Sequence, residues 1–405
     1  MFQPVFEYQL KVRDRFKKDK KTWDWFASSN VRDEQREAFK KELLENTYRM
    51  DPEADAGIYA LVKKAKDVFG LQIPITVYQA NDPMFSNASI VFLGDEAHLV
   101  LSGQILHLLN EEEKLAVVAH ELAHVLFFTV EKGDMEVTDR LLNAIANDVR
   151  SEEVFVETAR VFRQCLEIWC DRMACFVVGD YKIMISALVK INTGLQKISP
   201  EAYLKQAEEI LSDEEKKSGE HTHPENFIRA KSLEILEKGD SSEQSEKPLL
   251  ELICGKWEMA NLDVFRQDEI KQLTEILIRL ALKPKWMRST LTIALANQYF
   301  KLLKYDQDLF IDDVLLERFS KCAKSLKEYF VFVLFDFAWS DASLGNAALG
   351  HVQQIAEQLE LKEHFVVLLK KERKLSDRKA EELSAIASRE LAEINESKNE
   401  NSLED

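Results

Sequence analysis

Residues 120–124 read His-Glu-Leu-Ala-His within a largely apolar stretch from Leu115 to Phe128, and no other feature constrains this chain as strongly. Asn110 is a suitable helix cap, and Glu111 to Glu113 place negative charge on the first turn that follows. On the helix so predicted, His120 and His124 lie one turn apart on one face, so both rings can reach a single metal ion. Glu121 is not needed as a ligand. It can instead take a proton from a water that zinc makes far more acidic than bulk water. The competing account is a buried helix whose histidines merely find hydrogen-bond partners, and these five residues alone leave it standing.

Two imidazoles leave zinc short of a third protein ligand, with the fourth place kept for water. The segment 164–176 is apolar on nearly every side, yet it carries Glu167 and Asp171 at i and i+4. Burying two carboxylates on one face is costly unless something positive meets them. A metal ion and its ligand histidine would do so, with Glu167 on the metal and Asp171 accepting the second ring N–H of a histidine. The alternative is a structural salt bridge with Arg163, Arg172 or another cation. Glu136, Asp139 and Glu157 are rival ligands in more polar surroundings. Further along, His221-Thr222-His223-Pro224 is followed by Arg229. A histidine before proline is held extended or in a turn, so His223 could offer its ring to the oxyanion of a tetrahedral intermediate. Arg229 would fix charge or structure beside it.

The chain has 405 residues, enough for two or three domains with real cores. Its net charge of -17 argues against a nucleic-acid partner. The basic run from Lys11 to Lys21 is read as a solvated helix face rather than a membrane anchor. Met1 to Tyr8 lacks the pattern of a signal peptide, and the most apolar stretch, Tyr329 to Trp339, is too short to cross a bilayer. Five cysteines, an odd number, suit a reducing compartment, so a cytoplasmic location is expected. Cys165, Cys170 and Cys175 recur every five residues, which spreads them around a helix as core residues.

Residues 1–70 read as helices, with Ala54 to Phe69 amphipathic and Gly70 a stop signal. Pro74–Gln79, Ser89–Leu93 and His98–Leu106 read as strands, the last turning at Gly103. Three more helical stretches are expected after the metal-motif helix, up to about Glu237. The polar run 238–248 reads as an interdomain linker. Residues 249–392 are helical in pattern, and 393–405 read as a disordered acidic tail. Within the helical half, Ala260-Asn261-Leu262-Asp263 matches Ala338-Trp339-Ser340-Asp341. Ile270, Leu273, Ile276, Leu280, Leu282, Lys283 and Trp286 match Leu349, Val352, Ile355, Leu359, Leu361, Lys362 and Phe365, which points to a duplication.

Together, His120 to His124, Glu167 with Asp171, and His223-Pro224 with Arg229 resemble the gluzincin family that includes the CAAX prenyl protease and the HtpX-type heat-shock protease. The resemblance covers roughly residues 50–240. It also takes in Asn87-Ala88 and the strand region after it, where that family's substrate pairs along a sheet edge. It implies a zincin-like, mostly helical peptidase domain at 1–237 with a small β-sheet, hence an α+β chain. Those proteases carry transmembrane helices around this core and this sequence shows none, so a soluble relative is expected. The second half resembles TerB-like helical domains, in which Asp263 and Glu269 match an acidic pair; Ala347 breaks the pattern after Asp341.

The reading is a soluble zinc metalloendopeptidase joined to an all-α domain for regulation or partner docking. One zinc ion per chain is expected on His120, His124 and Glu167, with Glu121 as general base, His223 on the oxyanion, Asp171 and Arg229 in support, and a peptide or protein as substrate. The alternatives are a zinc-fold scaffold or chaperone, or a stress sensor whose helical half is the functional module.

Overall fold

The computed structural model describes residues 4–28, 33–81, 86–212, 218–219, 223–239, 242–301, 303–304 and 308–401. The chain forms two compact units, Met1–Gly255 and Lys256–Asp405.

The first unit opens with α1 (Glu7–Lys17), α2 (Lys20–Ser28) and α3 (Asp33–Asn46), followed by β1 (Thr47–Arg49) and α4 (Ala56–Phe69). Strands β2 (Ile75–Ala80), β3 (Asn87–Phe92) and β4 (Ala97–Ser102) complete a four-stranded mixed sheet in the order β1-β2-β4-β3. The central pair β2/β4 is parallel, with Val77 opposite Leu99, and both edge pairs are antiparallel. The strand expected to run to Leu106 ends at Ser102, where Gly103 takes a left-handed φ of 64° and the short α5 (Ile105–Leu108) begins.

Helix α6 (Glu111–Thr129) follows, then a 3-10 turn at 130–133, α7 (Asp134–Asn147), α8 (Glu153–Val178), α9 (Tyr181–Thr193), α10 (Pro200–Leu211), α11 (Asn226–Lys238) and α12 (Ser242–Cys254). Among the described residues, five helices thus lie between α6 and the polar run 238–248, where three were expected. The start of α6 is fixed by a reciprocal capping box: Glu113 N donates to Asn110 Oδ1 and Asn110 N to Glu113 Oε2, each at 2.9 Å. Its residues from Leu115 to Phe127 are buried except His124, because α4, α8 and α9 and strand β3 surround it. Part of the basic face of α1 is committed to neighbours: Arg13 pairs with Glu131 at 2.8 Å and Lys17 with Asp134.

The polar run read as a linker is mostly helix. α12 begins inside it, and Leu249, Ile253 and Cys254 are 2% exposed or less. The apolar half of α12 lies just beyond the polar run, so the run's composition concealed a helix anchored from its C-terminal side. Glu246, within that run, accepts from the backbone N–H groups of Glu7 (2.8 Å) and Tyr8 (2.7 Å), capping α1. The boundary between the units therefore falls at Gly255, and not across 238–248.

In the second unit the described residues form helices α13 (Val264–Ala281), α14 (Thr290–Tyr299), α15 (Asp313–Ser320), α16 (Lys324–Trp339), α17 (Gly345–Gln358), α18 (Lys362–Arg373) and α19 (Asp377–Asn401). An isolated bridge joins Trp257 to Cys322. Residues 393–401 of the expected disordered tail continue α19, while 402–405 lie outside the described residues. The core gathers around α16, with Phe319, Phe330, Phe335, Phe337 and Phe365 nearly inaccessible. The duplicated Ala-x-x-Asp is a capping device. Asp263 accepts from Phe265 N and Arg266 N to start α13, and Asp341 accepts from Ser343 N at a 3-10 turn. Glu269 pairs with Arg318 at 2.5 Å, so each of the two acidic groups in the TerB-like pattern has a protein partner. α17 and α19 cross closely at Gly350, where an added methyl would collide with the Ala387 carbonyl.

Candidate metal centre

The middle of α6 faces the middle of α8, and this brings together residues that are far apart in sequence. His120 Nε2 lies 3.4 Å from Glu167 Oε2, and His124 Nε2 lies 3.5 Å from Glu167 Oε1. The ligand atoms of His120, His124 and Glu167 all fall within 4.8 Å of one another, the only such group among the described residues. Ligand atoms at zinc–ligand distances stand about 3.3 Å apart around a tetrahedral ion. Both measured separations are close to that spacing. Glu167 Oε2 is within 2.9 Å of His223 Nδ1 but receives no hydrogen bond of acceptable angle, so a buried lone pair remains in the cluster. The donor set and this unsatisfied oxygen fit a metal ion.

Asp171 is completely buried one turn beyond Glu167. Its Oδ1 lies 2.8 Å from His120 Nδ1, the ring nitrogen facing away from Glu167. Arg229, carried by α11, grips both Asp171 oxygens, with Nε to Oδ2 at 2.7 Å and Nη2 to Oδ1 at 2.5 Å. The sequence set a histidine contact against a salt bridge at this carboxylate, and Asp171 makes both. Arg163 turns instead to Asn143. The rival carboxylates are engaged elsewhere: Glu136 with Arg140, Asp139 with Asn143, and Glu157 with Arg160.

Burial alone would depress the His120 ring, but the Asp171 and Glu167 carboxylates outweigh it and lift its pKa to about 10. A proton on His120 thus balances two buried carboxylates, a task that a divalent cation can take over. Burial would likewise raise the Glu167 carboxyl, yet the surrounding imidazoles hold it well below its usual range. His124, half-buried, is pushed down to about 4, chiefly by its removal from water. Glu121 is pushed up to about 7, chiefly by burial.

His120, Glu121 and Glu167 line a cleft of about 490 Å³. One side is the start of β3, with Ser86, Asn87 and Ala88; the other is α9, with Met184, Leu188, Ile191 and Asn192. The α9 wall was not legible in the sequence, because residues at 184, 188 and 191 look like an ordinary core stripe. The signal available was Asn192-Thr193-Gly194, polar and small residues closing an apolar helix. Gly194, at φ 73°, ends α9 at the cleft. His223 lies at the mouth, its side chain 63% exposed, while His221 and Thr222 lie outside the described residues. Two buried side chains hold the backbone ahead of His223: Gln164 donates to Ser218 Oγ at 2.7 Å, and Arg160 to Ser218 O at 3.4 Å.

No protein-family model matches the chain, and no solved structure matches it. Plastoglobule-localized metallopeptidase 48, chloroplastic, of Arabidopsis thaliana is 26% identical over 162 residues, which is 37% of this chain and 45% of that protein. The chain is similar to a metallopeptidase. It spans less than half of that relative's length, so the likeness supports a distant metallopeptidase relationship and goes no further. Among the described residues, no helix is long and apolar enough to cross a membrane.

Proposed function

We propose that the chain is a zinc-dependent metalloendopeptidase of the gluzincin type, similar to the CAAX prenyl and HtpX-type proteases, working in the reducing cytoplasm on peptide or protein substrates. The observation that carries this reading is the placement of Glu121, a buried carboxyl on the cleft, beside the His120–His124–Glu167 cluster. A zinc ion on those three residues would supply Lewis acidity and lower the pKa of water.

The chain's own residues do the rest. Glu121, with its carboxyl near neutrality, takes the proton of the attacking water and returns it to the departing amine. Asp171 fixes the His120 ring, and Arg229 fixes Asp171. His223 Nδ1 lies 2.9 Å from Glu167 Oε2, and the adjacent carboxylate raises its pKa. A protonated ring then has Nε2 available to donate to the oxyanion formed at the substrate carbonyl. The second unit is proposed as a TerB-like docking or regulatory module.

The decisive experiment replaces the general base alone. Glu121→Gln should keep its metal and its thermal midpoint while peptide-library turnover falls about 10²–10⁴-fold. Cleavage at the wild-type rate would overturn the mechanism. A wild-type chain that holds zinc but cleaves nothing would favour the scaffold reading.

A further inference from the structure

We infer that Gln164 and Glu225 position His223, by fastening the turn that carries it to helix α8 and by closing that turn at its base. This role presupposes the peptidase reading, in which His223 meets the oxyanion. The His223 side chain is 63% exposed, so packing does not fix it. The carboxylate beside it, Glu167, belongs to the metal cluster. An exposed ring that must meet a reacting atom to within a fraction of an ångström therefore depends on its backbone.

That backbone is held by groups that an ordinary surface turn would not need. Gln164 and Ser218 are buried, at 0% and 3% exposure. Gln164 Nε2 donates to Ser218 Oγ at 2.7 Å, and Gln164 Oε1 accepts from Arg160 Nη1 at 2.9 Å. Arg160 is itself gripped by both oxygens of Glu157, each at 2.7 Å, so the Gln164 amide has little freedom to turn. Ser218 N donates to Ile253 O at 3.2 Å, which ties the same residue to α12. One residue later, Gly219 N donates to Glu225 Oε1 at 2.9 Å. This bond joins the two sides of the turn with His223 between them, and buried Pro224 restricts the His223 backbone further. From Glu225 the chain enters α11, whose Arg229 grips Asp171. Gln164 precedes Glu167 by three positions on α8. A single helix thus carries both a member of the metal cluster and the clamp, and sets where His223 stands against that cluster.

The test compares variants of the zinc-loaded full-length chain on a fluorogenic peptide. Gln164→Leu should keep its zinc, because Glu167 and both histidines remain, while kcat falls about 10–100-fold and KM holds. In a His223→Ala background the same substitution should cost less than about twofold more, since a positioning residue then has nothing left to position. Gln164→Glu, which can still accept from Arg160 and from the Ser218 hydroxyl, should restore most of kcat. Glu225→Ala, at a half-buried site, should lower kcat in the same His223-dependent way even if Gln164→Leu folds poorly. Both variants should speed amide hydrogen exchange across 218–226 by about tenfold and leave α6 unchanged. Equal losses with and without His223 would overturn the inference and mark Gln164 as a purely structural residue. Unaltered exchange across 218–226 would overturn it too. That readout decides even if the wild type cleaves nothing, the outcome that defeats the peptidase reading instead.

Discussion

Helices α6 and α16 are each embedded in their own unit, yet they are buried on different terms. α16 carries Leu326, Phe330, Val331, Val333, Leu334, Phe335 and Phe337 inward and leaves Asp336 exposed, where it accepts from Tyr299 at 2.8 Å. α6 buries Glu113, His120 and Glu121 among its apolar residues. The first arrangement needs only packing. The second needs a partner for each ionisable group, because an isolated buried charge costs several kcal/mol. The same contrast extends across the two units. In the second, the buried polar side chains among the described residues are Asp263, Thr274 and Thr292, and all three bond to nearby backbone. In the first, buried charges reach one another across helices. Polar burial that local backbone cannot satisfy is thus a feature of the first unit, in the His120–His124–Glu167 cluster and in the Glu113–Lys190 pair.

The sharpest way to break the comparison is to remove the carboxylate that joins α8 to both histidines. Glu167→Ala should take zinc from about one ion per chain to near none, read by elemental analysis. Full zinc retention would place the third ligand elsewhere.

Glu113 tests whether a buried charge of α6 is stabilising through its partners. It accepts from Ser186 at 2.6 Å and from Lys190 at 2.8 Å, and Glu113→Ala would strand the Lys190 ammonium. A loss of about 3–5 kcal/mol is expected in urea unfolding at neutral pH. Burial works to raise the Glu113 carboxyl, but Lys190, Ser186 and the Asn110 backbone bring it below its usual value. The folded group thus titrates below the unfolded one. Its contribution is complete above the unfolded range and is lost as pH falls through the folded value. The gap between wild type and variant should therefore close as pH drops below about 4. Phe330→Ala in α16 should cost a similar ~3–5 kcal/mol through packing alone. That loss should be the same at every pH where the second unit stays folded; a pH-dependent loss would blur the distinction between the helices. The smallest effect belongs to the cap: Asp263→Ala should cost about 1 kcal/mol, without changing metal content.

The sequence made α6 legible because its cap, its acidic first turn and its apolar run agree, and the capping box follows from them. Three strands were legible for the same reason. β1 was not: Thr47-Tyr48-Arg49 has no apolar alternation, and it is a strand only because β2 pairs with it. The grip of Arg229 on Asp171, and that of Glu246 on α1, join residues 58 and 239 positions apart, which no local pattern encodes. The motif residues were recognisable as a set. Their supports, such as Gln164 and Arg160 behind Ser218, looked like ordinary polar residues of a helix.

The clasp of α12 has a consequence for the order of synthesis. Glu246 caps the first helix of the unit, and Ile253 O accepts from Ser218 N at 3.2 Å in the segment before His223. A nascent chain that has already extruded both histidines and Glu167 still lacks its last fastening. Closing a loop of that span is entropically slow compared with forming local helices. The ribosome must release residue 254 before the fastenings of α12 to Glu7, Tyr8 and Ser218 can all form, so the first unit is completed from its far end.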